Sequence, residues 1–192
     1  ASPTRVGAVT LSSGENSGYS IAVSGRYAYV TTVTSPARVV VVDISNPASP
    51  TRVGAVTLSS GENSGYSIAV SGRYAYVTTV TSPARVVVVD ISNPASPTRV
   101  GAVTLSSGEN SGYSIAVSGR YAYVTTVTSP ARVVVVDISN PASPTRVGAV
   151  TLSSGENSGY SIAVSGRYAY VTTVTSPARV VVVDISNPAS PT

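Results

Sequence analysis

Residues 1–47 recur without a single change as residues 48–94, 95–141 and 142–188, and residues 189–192 repeat the first four of the unit. No linker or unique segment separates the copies. A verbatim repeat presents the same faces to the same neighbours in every copy. Natural arrays instead accumulate substitutions, and their terminal repeats acquire polar caps. Identity at every position therefore points to a designed gene, with a very recent natural duplication as the alternative.

Within the unit, residues 4–11 (Thr-Arg-Val-Gly-Ala-Val-Thr-Leu) are rich in β-branched residues and run into the turn-forming stretch Ser12-Ser13-Gly14-Glu15-Asn16-Ser17-Gly18, which predicts a strand followed by a loop. Residues 19–24 alternate strictly, with Tyr19, Ile21 and Val23 on one face and Ser20, Ala22 and Ser24 on the other. Gly25-Arg26 then predicts a tight turn into residues 27–32, where Tyr27 and Tyr29 share a face. A second turn at Thr34-Ser35-Pro36-Ala37 leads to residues 38–44, which carry Val39-Val40-Val41-Val42. Four consecutive valines leave no polar face, so this strand requires cover on both sides of its sheet. Pro47 and Pro50 end it. No window reads as helical, because Pro and Gly interrupt each one and Val, Ile, Thr and Tyr dominate the remainder.

Four short strands in 47 residues, one of them covered on both faces, predict an all-β fold in which each unit is a four-stranded blade of a β-propeller. A two-sided apolar sheet copied verbatim hides its faces only by stacking on itself in a circle. The whole of residues 1–192 is read as one such domain, made of repeats 1–47, 48–94, 95–141 and 142–188 plus the start of a fifth at 189–192.

Composition removes much chemistry. The chain has no Cys and no His, and all twelve of its basic residues are Arg. Disulfides, thiolate nucleophiles, Cys-based metal sites and the usual physiological-pH base are thereby excluded, and the redox compartment is left undetermined. Abundant Ser and Thr gain nothing from this, because neither His nor Lys is present to activate a hydroxyl. The net charge of +4 is spread over single arginines at Arg5, Arg26 and Arg38 of each unit, so no basic cluster suited to nucleic acid exists in sequence. No long apolar run suggests a membrane span, and no basic start with an apolar centre suggests a signal peptide, so a soluble globular chain without a visible address is expected. No cofactor is expected.

Three residue sets are candidates for a site. Glu15, Glu62, Glu109 and Glu156 lie in Gly/Ser-rich loops that symmetry gathers on one face. They form a weak candidate cation ring, with ordinary solvated loop tips as the plainer expectation. Asp43, Asp90, Asp137 and Asp184 end the valine strand just before Ser-Asn-Pro, where a carboxylate accepts backbone N–H bonds of its own turn. Tyr19, Tyr27 and Tyr29 suggest stacking surfaces but occupy regular inward strand positions, so core packing is expected. Arginines are expected to pair with Asp across neighbouring blades or to stack on Tyr. The loop at Gly14-Glu15-Asn16-Ser17-Gly18 is no phosphate cradle, since neither a helix nor a lysine follows.

The stretch Val39-Val40-Val41-Val42-Asp43-Ile44-Ser45-Asn46-Pro47-Ala48-Ser49-Pro50 resembles the LVIVD repeat, a propeller-blade family, with valines in place of the Leu and Ile of the eponymous motif. Residues 21–30 (Ile-Ala-Val-Ser-Gly-Arg-Tyr-Ala-Tyr-Val) resemble that family's other signature. The resemblance implies a propeller and brings no catalytic residue with it. In propeller lettering the unit begins with an outermost strand, so the first outer strand lacks its blade and the last three strands lack their outer partner. The chain is therefore expected to close its ends with a second copy as a head-to-tail homodimer, in which residues 4–11 complete the partner's last blade and the ring has eight blades. The expected role is a self-assembling scaffold that is not an enzyme. The alternative is a module binding a glycan, peptide or cation on its loop rings.

Overall fold

A computed structural model of the chain describes residues 2–192. The first blade runs β1 (Gly18–Ser24), β2 (Tyr27–Thr32), β3 (Arg38–Asp43) and β4 (Thr51–Thr57), antiparallel and in that spatial order. Each connection has a local cause. Ser24 pairs with Tyr27 across a two-residue turn in which Gly25 sits at φ 56°. No atom lies within 4 Å of a Cβ placed there, so backbone conformation alone demands glycine. At the next turn the Thr32 hydroxyl accepts from the Arg38 N–H (3.0 Å) and bonds the Thr34 hydroxyl (2.7 Å), which donates to the Pro36 carbonyl (2.8 Å). At the third, Asp43 accepts from the Ser45 N–H (2.8 Å) and Asn46 from the Ala48 N–H (3.1 Å), the side-chain mimicry of a turn for which Asp and Asn are suited.

The second blade comprises β5 (Gly65–Ser71), β6 (Tyr74–Thr79), β7 (Arg85–Asp90) and β8 (Thr98–Thr104). The third comprises β9 (Gly112–Ser118), β10 (Tyr121–Thr126), β11 (Arg132–Asp137) and β12 (Thr145–Thr151). The fourth has only β13 (Gly159–Ser165), β14 (Tyr168–Thr173) and β15 (Arg179–Asp184). The missing outer partner of these last three strands is the one expected from the strand order of the unit, whereas the strand expected over residues 4–11 is corrected. Residues 4–11 form no strand, because the sheet they belong to is absent on that side. The fourth sheet ends one strand short, although Thr192 already exchanges two hydrogen bonds with Asp184 (2.6 and 3.0 Å), the rung that Thr51 makes with Asp43 in the first blade.

Blades stack face to face through their valine strands. In β7, Val87 and Val89 join Tyr29, Val39 and Val41 of the first blade, whereas Val86 and Val88 join Val124, Val134 and Val136 of the third. All four of these β7 valines are fully buried, as a strand with no polar face requires. Innermost strands follow one another in the order β1, β5, β9, β13, and the arc does not close on itself. Ile21 is 63% exposed where its repeat Ile68 is 6% exposed, and Val180 is 68% exposed where its repeat Val86 is 0% exposed.

Candidate assembly interface

The two ends of the arc are the two halves of one internal interface. At the N-terminal end, Val9, Leu11, Ile21, Val30, Val42 and Ile44 line an open groove of ≈ 310 Å³ between residues 4–11 and the first blade. One repeat on, Val56, Leu58, Ile68, Val77, Val89 and Ile91 form the receiving side of the first core cluster, filled by Tyr29, Val39 and Val41. The repeats of those filling residues at the C-terminal end are Tyr170, Val180 and Val182, and all three are exposed. The first residues are also held where an outer strand belongs. A Cβ on Gly7 would lie 2.2 Å from the Pro47 carbonyl oxygen, and one on Gly54, in β4, 2.5 Å from that of Pro94. Residues around Gly7 thus lie on the first blade as β4 lies on the second.

The glutamates are not solvated loop tips. Glu15, Glu62 and Glu109 are buried, each gripped by an arginine 37 residues further on, in the outermost strand of the same blade. The Arg52 Nε donates to both oxygens of Glu15 (3.1 and 2.9 Å), and the Ser12 N–H donates to one of them (2.9 Å). The Arg52 hydrogen bonds hold the Glu15 carboxyl below its usual range against the opposing effect of burial. A fork of N–H donors is the partner a buried carboxylate needs, and it occupies the oxygens a cation would require. Among the described residues no three acidic side chains come together to hold a metal. Glu156 differs from its copies. It keeps the Ser153 N–H (2.8 Å) but has only the Arg179 Nη1 at 3.5 Å, and its side chain is 15% exposed. Nothing local in the sequence announces the Glu–Arg pairing, whose sole signal is one spacing repeated down the chain.

The aspartates take the turn role expected of them, and each also pairs with the arginine of its own blade's first hairpin: Arg26 with Asp43, Arg73 with Asp90, Arg120 with Asp137 and Arg167 with Asp184. Pairing lies within blades, not across neighbouring ones. The Arg73 and Arg120 guanidiniums hold Asp90 and Asp137 down to about 2. Each of these arginines also stands over the adjacent tyrosine ring, with 5.2–5.3 Å to the centroid for Tyr27, Tyr74, Tyr121 and Tyr168.

Tyrosines divide into three environments. Tyr29, Tyr76 and Tyr123 are core residues whose hydroxyls are pushed up by burial. The Tyr27 set lies under arginine. Tyr19, Tyr66, Tyr113 and Tyr160, expected in the core, instead form a row with successive ring centroids 4.1, 5.0 and 4.3 Å apart. Tyr19 falls in the register shift between Gly18 and Ser20, and this bulge removes it from the alternation that governs the rest of β1.

Sheets of this order, stacked on both faces through a two-sided third strand, define a blade-repeat protein of the β-propeller type. Its units belong to the LVIVD repeat family, which matches residues 17–57, 64–104, 111–151 and 158–192. These spans follow the sheets, starting just before each innermost strand and not at the first residue of each sequence unit. No curated protein matches the chain in sequence. Among solved structures it is similar to the computationally designed Ika4 protein (10% identity, TM-score 0.65, 94% of this chain and 98% of that one). It is also similar to the periplasmic gluconolactonase PpgL of Pseudomonas aeruginosa (18% identity, TM-score 0.69, 87% of this chain and 53% of that one). The WD40 repeats of RRP9 match as well (9% identity, TM-score 0.65, 82% and 45%). The chain spans about half the length of the latter two. At 9–18% identity these likenesses show the fold alone, and with the four matched repeats they make the chain a repeat propeller.

Proposed function

We propose that this chain is an artificial self-assembling scaffold, two copies of which close head to tail into a ring of eight blades. The observation that carries this reading is the complementarity of the arc's ends. The exposed Tyr170, Val180 and Val182 are the repeats of residues that fill, in every internal interface, the groove now open beside Ile21. Burying a Val or Ile side chain gains about 1.5–3 kcal/mol, so leaving both faces in water is strongly unfavourable when a second copy can cover them. A heterologous contact of this kind propagates until it closes, and two arcs of four identical blades close as a two-fold ring. Sedimentation or light scattering of the 192-residue chain is expected to give twice 19.3 kDa, and a monomer at micromolar concentration would overturn the proposal.

No catalytic role is proposed, because no His, Cys or Lys is present and the carboxylates are engaged by arginine. The activity in the name of the gluconolactonase stays with that protein, since likeness at 18% identity shows fold alone. A second reading, a module binding glycan or peptide, draws on the row of Tyr19, Tyr66, Tyr113 and Tyr160, whose end members are each 47% exposed. Saturable binding in a glycan or peptide panel, abolished by Tyr→Ala at these positions, would establish it.

A further inference from the structure

We infer that the joint between copies is keyed by one ion pair, Glu156 of one copy with Arg5 of the next, formed on a strand whose first rung is already laid by Thr192. This rests on the ring reading above and specifies how its joint is recognised. In each complete blade the fork donor to the loop glutamate sits 37 residues on, in the outermost strand: Arg52 for Glu15, Arg99 for Glu62 and Arg146 for Glu109. Glu156 has no such donor. Arg5, the repeat of Arg52, lies exposed at the other end of the arc and makes no ion pair among the described residues.

The register fixes where Arg5 would arrive. Arg52 stands opposite Val42 in the first blade, and Arg99 and Arg146 stand opposite Val89 and Val136. An added strand in the same register sets Arg5 opposite Val183, and Gly7, Ala8 and Val9 opposite Val182, Val181 and Val180. The site opposite Asp184 is taken by that copy's own Thr192, which makes both hydrogen bonds of the rung. The incoming strand therefore begins at Arg5, because the place of its Thr4 is already filled by the identical Thr192. The outer strand of the fourth blade is thus continuous in hydrogen bonding and broken only between Thr192 and Arg5. Partner choice follows from the charges. A misaligned strand leaves the Glu156 carboxylate without its fork, and a like charge at position 5 sets two carboxylates together at a site that is covered on assembly.

Charge reversal tests the pair, because each altered chain fails against itself and fits the other. Arg5→Glu sits in an exposed segment outside every sheet, so folding should survive, which circular dichroism checks for both variants. Each of Arg5→Glu and Glu156→Arg alone is expected to raise the dimer dissociation constant at least about tenfold. Mixing the two is expected to restore a dimer containing one of each, because one joint keeps the original pair and the other carries it reversed. Mass spectrometry under native conditions reads this directly. If the unaltered chain is dimeric and both variants dimerise alone as tightly as it does, the ring stands and the ion-pair key falls. If the unaltered chain is monomeric, the ring reading itself falls.

Discussion

Identical residues in unequal surroundings turn this chain into its own control. Val86 and Val180 are the same position of the unit, the first fully buried and the second 68% exposed in a single copy. Valine to alanine in a packed core costs on the order of 2 kcal/mol, and close to nothing on a free surface. In a closed ring the two sites become equivalent, so Val86→Ala and Val180→Ala are expected to lower the urea midpoint equally. In an open arc only Val86→Ala would. The charged residues respond to acid. Asp90 and Asp137 have folded-state values near 2, below the ordinary 3.8, so their contribution to stability is complete above about pH 4 and is lost as pH falls toward 2. Their arginines are 60% exposed, which keeps each contribution modest and sensitive to salt. Asp137→Asn is expected to lower the neutral plateau of melting temperature against pH slightly and so to flatten the acid limb, the difference from the unaltered chain vanishing toward pH 2.

At the scale of the strand, the deciding element is the one that forms no strand in a single copy. An outermost strand bonds to one neighbour only, and alternate N–H groups point toward it, so of two consecutive residues one must donate into the ladder. Ala8→Pro and Val9→Pro each fix φ and remove a donor in a segment that no sheet of the single copy uses. One of the two is expected to abolish dimerisation while the far-ultraviolet dichroism of the blades persists. Both dimerising normally would show that residues 4–11 do not add to a second sheet. Strands were also the most legible part of the sequence, and for a local reason. Alternation in residues 27–32, the unbroken Val39–Val42 run and the Gly25, Pro36 and Pro47 punctuation are decided within a few residues. The fate of Glu15 was illegible because its partner Arg52 arrives from the far side of the blade, and nothing near Gly14-Glu15-Asn16 encodes it. Tyr19 misled because one bulge at Gly18/Ser20 shifts the phase of a pattern that is otherwise strict.

For the whole molecule, closure by a second copy would make stability a matter of concentration. If each end of the arc is satisfied only by a second copy, the melting temperature of the 192-residue chain must rise with protein concentration, since association stabilises the folded state by mass action. Joining two copies in tandem, with eight verbatim units in one chain, converts one of the two joints into a covalent connection and makes the other intramolecular. The effective concentration of one end at the other then reaches the millimolar range set by a short tether. The tandem chain is expected to be monomeric, to match the hydrodynamic radius of the paired 192-residue chains, and to melt at a temperature independent of dilution. A chain of three units offers the same two ends with a shorter arc, so its closure needs a multiple of three blades: three, six or nine. Steep wedging disfavours the first. If the joint between copies repeats the internal interfaces, the number of copies in a ring is set by the angle at which Tyr29, Val39 and Val41 seat against Ile68, Val77 and Val89. If the three-unit chain assembles into six blades while the four-unit chain assembles into eight, that angle is compliant. If the three-unit chain only aggregates, the angle is fixed near the value that closes eight.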